Sequence, residues 1–176
     1  MQNIYTYGRV MSDVKTMMRY KAWADEVFLS KIAQLPESQL VEPQPILFGN
    51  MLRTLHHSYA MDRVWQAHLV GEAHGYTSRN PDNPPSFGVL HQMQLAMDAW
   101  YVTYADALNP ETSGQVVEFE FIGGGNGAMS RGDILLHVAN HTTYHRGHVA
   151  DMLYHYGVSP PTTDLPVFLR TITPAA

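Results

Sequence analysis

Residues 130–157, SRGDILLHVANHTTYHRGHVADMLYHYG, decide how this chain is read. Ser130 followed at the third position by Asp133 resembles a capping box, and Gly157 with Pro160 stops the run, so a helix is expected to about Tyr156. On it His137, His141, His145 and His148 recur at steps of four, four and three. Residues four apart stand on one helical face about 6 Å apart along the axis, so two imidazoles can reach one ion between them. His137 and His145 are about 12 Å of rise and roughly 80° of rotation apart, so only a neighbouring pair can share an ion. The pair is 137/141, 141/145 or 145/148. Ten histidines scattered at random would give roughly half of one four-apart pair by chance, so two pairs sharing His141 carry more weight than one. The competing reading is a polar helix face whose histidines are solvated or hydrogen-bonded.

Working outward, the preceding segment changes period. Val117, Phe119 and Phe121 alternate with Glu118 and Glu120 before the glycine cluster 123–127, which predicts a short β-hairpin ahead of the last helix. Gly123 to Ala128 formally match a dinucleotide-binding fingerprint, but no βαβ unit surrounds them. Upstream, Leu90, Met93, Met97, Trp100, Tyr104 and Leu108 mark a third amphipathic helix ended by Asn109 and Pro110. Residues 72–86 are rich in Gly, Pro, Asn and Asp and long enough to run the length of a bundle as a crossover. A second helix is expected from near Ile46 to Gly71, and a first from Ser12, as N-cap, to Leu35. A short link between them makes these two antiparallel neighbours. The expected fold is all-α: a four-helix bundle formed by one domain over residues 1–176, with a long crossover between helices 2 and 3 and a hairpin before helix 4. The tail with Asp164, Leu165, Val167 and Phe168 is expected to pack back on the bundle, and Gly147 to mark a close approach of another backbone.

A metal also needs ligands from elsewhere. LHHSYAMDRVW at 55–65 puts two adjacent histidines in mid-helix, about 100° apart, so only one can face the bundle axis. His57, with Thr54, Met61 and Val64 at spacings of three, four and seven, lies on the mostly apolar face, and His56 is expected to point outward.

Composition bounds the function. There is no cysteine, so any metal sits on His, Asp or Glu and no thiol nucleophile is supplied by the chain. A net charge of −5 with eleven scattered basic residues argues against a nucleic-acid binder, no stretch is long and apolar enough for a membrane span, and nothing in MQNIYTYGRV suggests export. A cytoplasmic protein with a small-molecule partner is expected, with a homodimer left open. A ferritin-like di-iron centre fails because no Glu or Asp has a His three residues later, and H-E-x-x-H is absent.

These residues resemble the DinB (damage-inducible) family of metal-binding helical bundles. The matches are RYKAWAD with Tyr20 and Trp23, the pattern His57, Asp62, Trp65, and HVANHTTYHRG with His141 and His145. The resemblance implies a three-histidine site of His57, His141 and His145 for one divalent transition metal ion, Zn, Ni, Fe or Mn. It also implies a metal-dependent enzyme, either a thiol-dependent S-transferase using a low-molecular-weight thiol cosubstrate or a hydrolase. The alternative is a non-catalytic metal-binding stress-response protein. After His-Arg-Gly the family usually has Gln where this chain has His148. The thiol-dependent branch looks to carry Glu at the position of His141, so three imidazoles place this chain nearer the bacillithiol-transferase-like and unassigned members. Catalytic residues beyond the ligands stay unassigned. With unperturbed imidazoles near pKa 6.5, metal affinity is expected to fall below about pH 6.

Overall fold

A computed structural model describes residues 4–172, with 4–12 described as backbone only. In chain order the elements are α1 (Ile4–Ile32), α2 (Glu37–Val41), α3 (Met51–Val70), α4 (Phe87–Ala107), α5 (Pro110–Ser113), β1 (Val116–Glu120), β2 (Asn126–Ser130), α6 (Arg131–His155) and α7 (Leu165–Ile172). The four long helices α1, α3, α4 and α6 build a bundle, and the three short ones decorate it.

Local chemistry sets the boundaries. The first helix runs straight through Ser12, where a start was expected, because no proline stands upstream to break it; the Ser12 side chain lies outside the described residues. The second long helix begins five residues later than the expected Ile46. Gly49 takes φ +80° and the Asn50 side chain accepts the Arg53 N–H, so the cap is at Asn50. Gly71 in the left-handed region closes that helix. Ser130 caps α6 by accepting the Asp133 N–H, while its own hydroxyl donates to the Asp133 carboxylate.

The helices α1 and α3 are antiparallel but not side by side. Both pack against α4 and α6, so they face one another diagonally across the core. The connection between them is not short: it carries α2 and the turns of residues 42–50, enough chain to cross a corner of the bundle. Asp62 of α3 meets Gln94 of α4, and Leu69 meets Tyr104, so α3 and α4 run parallel. That arrangement requires the long crossover 72–86, which has neither helix nor strand. His57 meets His145 and Leu69 meets Arg131, so α6 returns antiparallel to α3. The hairpin pairs Val117 with Met129 and Phe119 with Gly127 around the positive-φ turn Gly123 to Gly125. A Cβ on Gly127 would stand 2.6 Å from the Phe119 ring, so a larger residue here requires that buried ring to move.

The main apolar core lies between the helices, with Val14, Ile32, Met51, Tyr101, Ile134, Leu135, Val138 and Leu153 fully enclosed. Each such large side chain contributes roughly 1.5–3 kcal/mol by leaving water. The tail folds back as expected: Phe168 packs on Tyr20 and Trp23, and the Tyr20 hydroxyl donates to the Thr163 carbonyl. Gly147, in contrast, has open space where a Cβ would be, so no backbone approaches it. Among the described residues no helix is long and apolar enough to cross a membrane.

Candidate metal centre

The antiparallel pairing of α3 with α6 brings His57 against His141 and His145, one helical turn apart on the facing helix. One ligand atom from each of the three lies within 4.8 Å of the others. The His141 and His145 Nε2 atoms face each other at 3.0 Å. His57 is oriented from two sides. Its ring stacks on Phe48 at 4.3 Å, and its Nδ1 is 2.6 Å from the Arg79 carbonyl. A carbonyl only accepts, so Nδ1 carries the proton and donates it, which leaves the His57 Nε2 lone pair for the site.

Electrostatics keep the cluster neutral. Burial, then the neighbouring imidazoles, holds His141 down at about 3, and burial with His57 and His148 beside it holds His145 at about 4. Burial also lowers His57. Three unprotonated rings in one place suit a dication and are otherwise a poor way to fill a core. The ordinary imidazole value behind the expected loss of metal below about pH 6 therefore does not describe these rings.

Of the other histidines, His137 is half-buried with its ring 5.7 Å from His141 and edge-on to Trp65, and it stays outside the cluster. His148 sits beside Tyr144 and His145, also outside. His56 is not at the site, but neither does it point outward: it is 9% exposed. Its helix α3 is enclosed by α4, α6, α2 and β1, so the flanking face is covered too.

Behind the histidines lies a buried ionic network that the residue pattern did not disclose. Lys21 Nζ donates to Asp25 at 3.1 Å and to Asp98, and lies 2.9 Å from the Asp62 carboxylate. Arg146, the residue after His145, pairs with Asp25 at 2.9 Å and donates to the Tyr20 hydroxyl. Gln94 bridges Asp62 and Asp98. Thr142, next to His141, reaches Asp62 at 3.5 Å. Burial raises the Asp98 carboxyl to about 7 despite Lys21 beside it, and raises Asp62 as well. A lysine and an aspartate four apart among the apolar residues of the first helix were the available signal.

The sequence model of the DinB family matches residues 11–174. The chain belongs to the DinB family. Protein DinB of Bacillus subtilis (strain 168) is 21% identical to it over 159 residues, covering 87% of this chain and 91% of that protein. A crystal structure of a DinB-like protein from Bacillus cereus ATCC 10987 superposes with a TM-score of 0.64 at 16% identity, over 82% of this chain and 91% of the other. At that identity the superposition speaks for the shared DinB fold. Within this DinB bundle, Tyr20 and Trp23 hold the tail, Asp62 belongs to the ionic network, and Trp65 faces the histidines' side of α3, lining a cavity with them. That cavity is about 530 Å³, and His57, His141 and His145 form part of its wall.

Proposed function

We propose that this DinB-family chain is a metal-dependent enzyme acting on a small molecule. In this reading His57, His141 and His145 hold one divalent transition metal ion, and the cavity beside them receives the substrate. The observation that carries it is that three neutral imidazoles converge on a cavity of about 530 Å³ whose described lining has no carboxylate. Such a ligand set leaves at least one coordination position turned to the cavity, the property of catalytic as opposed to closed structural sites. The cavity volume lies in the range of about 300–1,000 Å³ typical of small-molecule sites.

When bound, a divalent ion here would supply Lewis acidity, bringing water toward a pKa of about 7 or favouring the thiolate of a low-molecular-weight thiol. The protein's own residues do the rest. The Arg79 carbonyl and the Phe48 ring fix the plane of His57. Met61 and Trp65 exclude water from one wall. His137, in the same wall, is a ring at which a proton can be held close to the reacting atoms. With no cysteine in the chain, thiol transfer would use an external thiol.

Elemental analysis of the purified protein names the metal. Conjugation of a small thiol to an aryl halide, and hydrolysis of aryl esters, are then measured with that metal restored, in the native chain and in His141→Ala. Turnover that needs both the metal and His141 supports the reading and separates transferase from hydrolase. A stoichiometric metal with no turnover in either assay returns the protein to a non-catalytic metal-binding role.

A further inference from the structure

The cavity has a character of its own beyond the three histidines. Its described lining includes one basic residue, Arg79, which is exposed to solvent, and no acidic side chain. Among the described residues Arg79 makes no salt bridge: the arginines with carboxylate partners are Arg19, Arg53 and Arg146. The rest of the wall is mostly large and apolar, with Phe48, Met61 and Trp65 from inside the fold. Leu47 and Phe121 complete it from two different loops, and both are left in water, Leu47 at 87% and Phe121 at 44% exposure. Two large apolar side chains held in solvent on the rim of one cavity gain stability when an apolar body covers them. An exposed cation without a carboxylate partner at the same wall gains when an anion arrives, by the modest amount of a solvent-screened pair.

We propose that the cavity is built for an amphipathic acid, an apolar or aromatic body seated between Leu47, Trp65 and Phe121 with one carboxylate or similar anion paired to Arg79. This rests on the enzyme reading above and names the class of molecule its site takes. Arg79 serves twice: its carbonyl orients His57 while its side chain holds the ligand's acid end. Binding the anion therefore stiffens the crossover loop that also positions a histidine of the metal cluster. A neutral molecule of the same shape forgoes the charge pairing with Arg79, and a cation meets like charge.

The test uses the full chain freed of metal by a chelator, with 4-phenylbutyrate, 4-phenylbutyramide and 4-phenylbutylamine as calorimetric probes. The carboxylate is expected to bind up to about fivefold tighter than the amide, the order of a solvent-exposed ion pair, and the amine weakest. Arg79→Gln keeps the carbonyl that His57 uses and is expected to make carboxylate and amide equal. Leu47→Ser, a change at an exposed position, is expected to weaken both in parallel. Equal binding of acid and amide to the native chain, survival of the preference in Arg79→Gln, acid binding only after metal is restored, or no binding by any probe overturns the inference. Metal stoichiometry on the same preparation keeps the two readings apart. A chain that prefers the acid through Arg79 but holds no metal retains this site and loses the metal-enzyme reading; one that holds metal without that preference does the reverse.

Discussion

Replacing Lys21 by Met removes the cation at the centre of the bundle while keeping most of its volume. Lys21 is 1% exposed and serves three carboxylates, Asp25, Asp62 and Asp98. Arg146 on Asp25, the Gln94 amide and the Thr142 hydroxyl on Asp62 would remain, with no cation left for Asp62 and Asp98. Leaving buried charges without their partner costs about 3–5 kcal/mol. In a chain of this length each kcal/mol moves the melting temperature by about 2–4 °C, so a fall of about 6–20 °C is expected. The deficit depends on pH with a definite sign. Burial already raises Asp98 to about 7, so between about pH 4 and pH 7 the folded state holds a proton there that the unfolded chain, near 3.8, has released. A raised carboxyl contributes stability at low pH that is lost as pH rises through the folded value. Without Lys21 the carboxylates rise further, so the gap between Lys21→Met and the native chain should widen from pH 5 to pH 8. Thermal melts by circular dichroism across that range measure it, and adding Asp98→Asn to Lys21→Met should recover part of the loss. A fall of under about 1 kcal/mol, a gap that narrows with pH, or no recovery in the double variant would refute this account of the network.

Other changes read different parts of the structure. His141→Ala is expected to abolish stoichiometric metal, whereas His56→Ala and His137→Ala keep it, as measured by elemental analysis after dialysis. The metal-free chain is expected to stay helical and to melt cooperatively, with added metal raising the midpoint as simple mass action requires, because the apolar core closes without help from the histidines. An unfolded metal-free chain would mark the site as structural. Gly147→Ala is expected to stabilise the protein by about 0.5–1 kcal/mol in urea titrations, since a Cβ there meets nothing and helix propensity favours alanine.

Much of the architecture was legible because it rests on local chemistry. Helical periodicity, the Ser130 cap, the glycine turn of the hairpin and the proline-rich crossover each act over a few residues. The convergence of His57 with the 141/145 pair was legible in a weaker way: spacing left three pairs open and the family resemblance chose among them. What stayed hidden depends on where distant segments meet. The diagonal placement of α1 and α3 follows from the course of a connection whose inner helix Glu37–Val41 has too short a period to show. The roles of Lys21, Asp98 and Arg146 exist only once three helices are side by side. Arg79 and Phe48 reach the site from loops, where no periodicity announces a direction. Gly147 was read as a packing glycine from its cost to the helix, and the open space around it shows that cost is uncompensated.

The central claim is that His57, His141 and His145 hold one ion and leave it open to the cavity. Crystals grown from metal-loaded protein, with diffraction recorded on both sides of that metal's absorption edge, test it most directly. The account predicts a single anomalous peak per chain, bonded to a nitrogen of each of the three histidines at about 2.0–2.1 Å, with its remaining positions filled only from the cavity. A peak on any other residue set, a fourth protein ligand closing the site, or no peak at the three histidines would contradict it.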